Sequence, residues 1–294
     1  MAVFVAVAEE GGFAAASRRL GHSAPTVTRA VAALEAAIGA ALFVRTTRHV
    51  RLTDAGQRYL EDCRRILRQL EEAEAQAAGA HVAPQGALVV AAPVLFGQQL
   101  LVPAVVDFLA AYPAVSVRLL LVDRTVHLGE EGVDAAFRMG ELPDSSLVAM
   151  PLGRIRRVVC AGPGYLAAHG RPRHPSELHA HALVASVADT RNDTWEFIDG
   201  DACVDIAIRA RLVVSTNAAA IAAAECGAGV TRVMSYQVAS ALAQGRLERL
   251  LQAFEPKPVP VWLVNQEGRR AAAKLRVFLA FMAERLRGHE ALAE

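Results

Sequence analysis

A chain of 294 residues with 53% hydrophobic but only 5% aromatic content and a formal charge of +1 holds enough apolar material for two or three cored domains, which excludes a disordered chain. The apolar run at residues 2–8 is too short to span a bilayer and has no basic residue before it, so neither signal peptide nor anchor is expected and the protein should stay in the cytoplasm. Cys63, Cys160, Cys203 and Cys226 are widely spaced without a CxxC pair, which points to buried free thiols instead of a zinc site or a disulfide framework.

Residues 13–34, FAAASRRLGHSAPTVTRAVAAL, read as two short helices joined by a glycine turn, an arrangement with which many proteins read DNA. Phe13, Ala16 and Leu20 form one apolar stripe, and Gly21 supplies the permissive backbone of a tight turn. Ser23 is the predicted N-cap of the second helix, and Pro25 falls in its first turn, where no hydrogen bond is lost. Val27, Val31, Leu34 and Ile38 recur at helical spacing and predict one buried face. At about 100° per residue, Pro25, Arg29 and Ala32 lie opposite, with Thr26 and Thr28 on the flanks. With Ser23 and Ala24 at the helix start, Pro25, Thr26, Thr28 and Arg29 are the candidate base-reading residues. The segment RTTRHVRLT then places Arg45, Arg48 and Arg51 at every third residue, with Thr47 among them, on a Thr- and Val-rich stretch suited to a two-stranded wing. Residues 1–60 hold seven arginines against four acidic residues, a net of +3 in a chain of only +1. Positive charge is therefore concentrated where DNA phosphates would lie.

Thr53 is the predicted N-cap of a charged helical run that meets no glycine or proline between Gly56 and Gly79. Tyr59, Cys63, Ile66, Leu70, Ala73 and Ala77 form a seam of period 3.5 that calls for a partner helix, hence a dimer placing two recognition helices on successive half-sites. GAHVAPQG, residues 79–86, reads as a hinge. Beyond it, ALVVAAP, VSVRLLLV, VDAAFRM, RRVVCA, RLVVS and VPVWLV alternate with helical stretches, which predicts α/β units with largely parallel sheets. The 208 residues after Gly86 suit two small lobes better than one sheet.

Other classes fit less well. A stand-alone solute-binding protein would share the two lobes but has no use for a basic helical hairpin. For an α/β enzyme, GPG at 162–164 and GAG at 227–229 lack the full phosphate-loop patterns, and no G-x-S-x-G element is present. His169, His174, His179 and His181 lie in a polar segment without HExxH or Cys partners and are read as solvent-facing. No catalytic residue, metal site or cofactor is assigned.

The string SAPTVTRAVAALEAAIGAALFVRTTRHVRLTDAG resembles the winged helix-turn-helix signature of the LysR-type transcriptional regulators, including Leu34, Glu35, Leu42, Phe43, Arg45, Leu52, Thr53, Ala55 and Gly56. AAPVLFG at 91–97, FLAAYPAV at 108–115, EEGVDAAFRMG at 130–140, GPGYLAAHG at 162–170, and the terminal GRLERLL and KLRVFLAFM are similar to that family's effector domain. The resemblance implies a winged helix-turn-helix domain at 1–56, a dimerisation helix at 57–78, a hinge at 79–86 and a two-lobed, periplasmic-binding-protein-like α/β effector domain at 87–294. Lobe 1 would comprise about 87–161 and 265–294, and lobe 2 about 162–264. It further implies double-stranded DNA, a small-molecule effector and a homodimer or homotetramer, with RNA polymerase as a possible contact and no membrane. By that analogy the effector lies between the lobes, at strand ends and helix amino termini that favour an anion such as a carboxylate. The candidate contacts are Pro93, Val94, Phe96 and Gly97 after the first strand, Ser215, Thr216 and Asn217 before AAAIAAAE, and Arg138 as a bidentate carboxylate partner or an interlobe salt bridge. Departures are specific. Relatives have several residues before the position of Phe4, so helix 1 should lack its opening turn and the start should be an internal methionine. Polar residues stand near Ala24 and Ser near Thr28 in many relatives. Where some use a Ser or Thr hydroxyl to hold ligand, this chain has Val94.

Overall fold

Glycine and serine signals punctuate the amino-terminal helices of the computed structural model as their chemistry requires. The structure describes residues 1–45, 50–77, 83–142, 147–187, 194–268 and 271–293, and it divides into two units, Met1–Ala83 and Pro84–Glu294. In the first, α1 (Ala2–Glu10), α2 (Phe13–Leu20) and α3 (Ala24–Ile38) precede the wing strands β1 (Phe43–Arg45) and β2 (Val50–Leu52) and the long α4 (Asp54–Ala77). Gly21 ends α2 at φ +66°, the left-handed conformation a side chain disfavours. Ser23 caps α3 by accepting the Thr26 amide at 3.4 Å.

Phe4 of α1 meets Phe43 and Tyr59 at ring-centroid distances of 5.2 and 5.4 Å, and Val27 and Val31 of α3 are fully buried beside them. The predicted buried face stops short of Ile38, which is 41% exposed because the last turn of α3 outruns the core. The predicted seam on α4 divides as well. Tyr59, Cys63 and the unpredicted Leu60 and Leu67 pack into this unit's own core, leaving Ile66 and Leu70 exposed. The side chains of Ala73 and Ala77 lie outside those described. Thr53 caps α4 as predicted, its Oγ1 accepting the Gly56 amide at 2.9 Å and donating to the Ala41 carbonyl at 2.8 Å.

The second unit carries two five-stranded sheets. The first contains β3 (Gly86–Ala92), β4 (Val115–Leu121), β5 (Ala135–Met139), β6 (Val148–Ile155) and β14 (Val259–Asn265), in the order β4-β3-β5-β14-β6. The second contains β7 (Arg157–Ala161), β8 (Leu183–Ser186), β11 (Leu212–Val214), β12 (Val230–Met234) and β13 (Glu248–Leu250), in the order β11-β8-β12-β7-β13. A β9–β10 hairpin (Thr194–Asp199, Ala202–Ala207) buries Trp195 and Phe197 in the second lobe.

Both sheets are mixed, which corrects the expectation of largely parallel ones. β3 runs parallel to β4 and β5, while β14 is antiparallel to β5 and β6. Likewise β12 and β11 run parallel to β8, but β7 is antiparallel to β12 and β13. The antiparallel members include the two strands that arrive from the other lobe. The lobe boundaries shift accordingly: 157–161 belongs to the second sheet and 259–265 to the first, because each strand joins the lobe the chain is entering.

After β3 comes one apolar helical stretch, α5 (Val94–Phe96), a π turn (Gly97–Leu101) and α6 (Val102–Ala111). By length and hydropathy alone this 18-residue stretch could cross a membrane. It joins two parallel neighbours of one sheet, and Phe96, Leu101, Ala104, Val105 and Phe108 face that lobe's core, so it is a crossover helix. The α-helices that follow among the described residues are α7 (Pro163–His169), α8 (Asn217–Glu225), α9 (Ser235–Ala243) and α10 (Ala273–Leu286).

Candidate nucleic-acid interface and ligand cavity

In the first unit Ser23, Ala24, Pro25, Thr26 and Arg29 are exposed along the start and outer face of α3. The Ser23 and Thr26 hydroxyls pair at 2.8 Å, which orders the first turn. Thr28 is half-buried and donates its hydroxyl to the Ala24 carbonyl at 2.9 Å, leaving a methyl group and acceptor capacity for a base edge. Arg29 donates Nε to the Pro25 carbonyl at 3.4 Å, so both terminal nitrogens stay available for a bidentate contact. In the wing, Arg51 is exposed and pairs with Val44 across the strands. Arg45 ends β1, while Thr47 and Arg48 lie outside the described residues.

Glu35, which the sequence marked without a role, ties reader to wing: Oε1 accepts the amides of Leu42 at 2.8 Å and Phe43 at 3.1 Å. Not all of the positive charge counted from sequence faces outward to a ligand. Arg19 bonds Glu9 at 2.9 Å and Glu10 at 3.2 Å, which raises the basicity of its guanidinium.

The second unit holds a cavity of about 370 Å³ between its two sheets. The first lobe contributes the end of β3 with Pro93, the loop 122–126 after β4, and Arg138 on β5. The second contributes Arg157 at the start of β7, Arg232 on β12, Asn217 at the start of α8, and Tyr236 on α9. Three of the predicted contacts, Pro93, Arg138 and Asn217, therefore meet on one wall system.

The others do not line it. Phe96 is fully buried against Phe137 and Tyr236, at 5.3 and 5.8 Å between ring centroids, and serves the core. Gly97 is buried with the Leu121 methyls so close that any Cβ would overlap them. Val94 donates its amide to Asp123 Oδ1 at 3.0 Å. Thr216 caps α8 through the Ala219 amide at 3.2 Å, and Ser215 is exposed away from the cavity. Arg138 forms no interlobe salt bridge among the described residues; its Nη2 donates to the Val126 carbonyl of the same lobe at 2.7 Å.

Sequence reasoning missed Asp123, Arg124, Arg157, Arg232 and Tyr236. The available signal was a charge interrupting an apolar strand, as in VTRVM, or opening one, as in RRVVCA. Arg232 is 6% exposed, with its guanidinium carbon 5.4 Å from the Trp195 ring centroid. Among the described residues Arg157 has no carboxylate partner. Arg124 is held by both oxygens of Glu131, at 2.8 and 2.6 Å, and this pair, with the His127 amide, pulls the Glu131 carboxyl down to about 2. Burial pushes the Tyr236 phenol far up, with the Asp123 charge adding to the rise.

The four histidines are not uniformly solvent-facing. His169 and His179 are exposed, but His181 is half-buried with Nδ1 3.2 Å from the Tyr165 hydroxyl, and burial lowers its basicity. Cys63 and Cys160 are buried thiols as expected, whereas Cys203 and Cys226 are exposed.

A winged helix-turn-helix and a two-lobed α/β unit with a charged interlobe cavity together define a DNA-binding regulator with an effector-binding domain. The chain belongs to the LysR family of transcriptional regulators. Residues 1–57 match the bacterial regulatory helix-turn-helix protein model of the lysR family, and residues 81–287 match the LysR substrate binding domain. It is 35% identical to an HTH-type transcriptional regulator of Xanthomonas campestris over 97% of this chain and 84% of that one. It is 31% identical to the HTH-type transcriptional regulator DmlR of Escherichia coli, covering 98% and 94%. The structure of CrgA, a LysR-type regulator from Neisseria meningitidis, is similar with a TM-score of 0.64 at 32% identity, covering 97% of each chain. These relatives are transcriptional regulators, not enzymes, and such regulators work in the cytoplasm.

Proposed function

We propose that this regulator binds a pseudo-palindromic operator as a dimer and that an anionic metabolite, a carboxylate in the first instance, changes its output by settling between the lobes. The observation that carries the reading is a cavity walled by arginines from both sheets: Arg138 on one, Arg157 and Arg232 on the other. A ligand that reaches both walls binds one lobe arrangement better than another, and the coupling is limited to that difference, typically about 1–3 kcal/mol. On the DNA side, Ser23, Ala24, Pro25, Thr26, Thr28 and Arg29 face the bases while Arg45, Thr47, Arg48 and Arg51 hold phosphates. We place the reader at 1–56, the dimerisation helix at 57–78 and the effector lobes after the 79–86 hinge. Exposed Ile66 and Leu70 of α4 supply the partner seam, and a homotetramer or an RNA polymerase contact would build on that dimer.

Footprinting of the promoter beside its own gene, with and without a panel of small carboxylates, tests the whole reading. Protection that changes with a carboxylate is expected; no protection under any condition refutes it. Arg29→Ala is expected to lower specific operator affinity by about 1–3 kcal/mol, the worth of one bidentate base contact. Unchanged binding in a gel-shift titration would remove Arg29 from the reading surface.

A further inference from the structure

We propose that Asp123 is a specificity-determining residue of the cleft. It acts as a built-in carboxylate that occupies the first-lobe anion position and selects an effector with an anion at one end and a hydrogen-bond donor, an ammonium or hydroxyl, at the other. This rests on the reading of the interlobe cavity as the effector site.

The helical stretch 94–111 begins at the cavity, and its first free amide is where a ligand anion would ordinarily be received. That amide, on Val94, is already taken by Asp123 Oδ1 at 3.0 Å, and residue 94 offers no hydroxyl in compensation. The chain has filled its own anion position. A ligand carboxylate brought there would meet a fixed like charge.

Arg124, the next residue, is paired with both oxygens of Glu131, and Arg138 of the same lobe, still charged, directs Nη2 to the Val126 carbonyl. The other acidic side chain of the wall, Glu141, also belongs to the first lobe, while Arg157 and Arg232 stand on the second. The cavity is thus electrically polar along the line between the lobes. The Asp123 charge also adds to the burial that keeps the Tyr236 hydroxyl protonated across the cavity. An ionised carboxylate has acceptor sites beyond the one that Val94 uses, and these suit a donor on the ligand. A ligand placed this way contacts both lobes through opposite ends.

The test uses the full chain, with calorimetric affinities for matched pairs: succinate, glutarate and adipate against 4-aminobutyrate, 5-aminopentanoate and 6-aminohexanoate. Sulfate, followed by thermal shift, serves as a probe for any anion. Wild-type protein is expected to prefer an amino acid over the diacid of equal length by at least about tenfold, since like-charge juxtaposition is strongly penalised. Asp123→Asn keeps an oxygen for the Val94 amide and removes the charge, so it should bring that ratio close to one. Asp123→Ser is the second variant should Asn perturb the helix start. Arg157→Gln should weaken both series alike. Wild-type preference for diacids, a ratio unmoved in both Asp123 variants, or stabilisation by sulfate without binding of either series overturns the proposal and leaves the anionic-effector reading standing. No response to sulfate or to any acid overturns both.

Discussion

Replacing Gly56 with alanine sets two effects of opposite sign against each other. In an ordinary helix alanine is better than glycine by about 0.5–1 kcal/mol. At this position, in the first turn of α4, a Cβ would overlap the Leu42 carbonyl oxygen, stand 2.9 Å from the Leu42 carbonyl carbon and lie 3.1 Å from Leu52 Cδ2. The obstacle is pinned backbone. Leu42 receives the Thr53 amide on its oxygen at 3.0 Å and gives its own amide to Glu35 at 2.8 Å. Making room requires α4 to lift from Leu42 and release at least the Thr53 bond. An unsatisfied buried group costs about 1–3 kcal/mol, and overpacking a filled site costs a similar amount. Less the propensity gain, the net is a loss of about 1–5 kcal/mol. Both tryptophans, Trp195 and Trp262, lie in the second unit, so their fluorescence follows that unit alone while far-ultraviolet circular dichroism follows both. Urea denaturation of Gly56→Ala is expected to move the helical signal to a lower midpoint, by about 1 M or more at the slopes usual for small domains, with the tryptophan transition unchanged. A helical midpoint that stays put or rises would refute the reasoning, since propensity would then have outweighed the clash.

Two further outcomes follow from the electrostatics of the cavity rim and from the free face of α4. Glu131, held down to about 2 by Arg124, favours the folded state at pH values above its ordinary 4.5, and that contribution is lost as pH falls from there toward 2. Glu131→Gln should therefore flatten the acid limb of the tryptophan-monitored stability curve, and an unchanged limb would mean that the pair stabilises nothing in solution. Charging the exposed seam with Ile66→Asp and Leu70→Asp should weaken self-association by at least about tenfold, because burying each apolar chain is worth about 1.5–3 kcal/mol. Sedimentation equilibrium showing the wild-type mass distribution would remove α4 as the dimer contact.

Local signals carried most of what the sequence revealed. Gly21, Ser23 and Pro25 mark a turn, a cap and a first helical turn through their own backbone chemistry, and α3 follows them as read. Thr53 caps α4 for the same reason. The Gly-Asp turn (Gly200, Asp201) of the β9–β10 hairpin and its alternating TWEFID were equally local and went unread. The seam on α4 was read with the correct period but the wrong partner for Tyr59 and Cys63. Periodicity reports a buried face without saying what buries it. The cavity is where sequence reasoning failed for a physical reason. Arg157 comes beside Arg232 because Met234 pairs with Arg157 and Arg232 with Val159 across antiparallel strands, a register that no local pattern encodes. Val94 and Phe96 were placed by analogy with ligand-holding loops, whereas the Asp123 side chain, remote in sequence, takes the amide that would have made them a site.

The pivot between the lobes explains how such a cavity can act on anything beyond itself. Arg156, between β6 and β7, exchanges two hydrogen bonds with Ser235, amide to Oγ at 3.1 Å and carbonyl from the Ser235 amide at 2.8 Å. On the other crossover, Glu255 is gripped by both donors of Arg249 at 2.6 Å and lies 4.0 Å from Arg156, its side chain only 6% exposed. Glu255 thus holds two guanidinium groups where the chain crosses between the lobes. The next residue after each hinge contact, Arg157 after Arg156 and Tyr236 after Ser235, lines the cavity. Any change in the angle between the lobes at this joint would move Arg157 and Tyr236 against Arg138 and Asp123. On the proposed function, a ligand held by both walls would favour one such arrangement over another, and a dimer would carry that preference to its DNA readers.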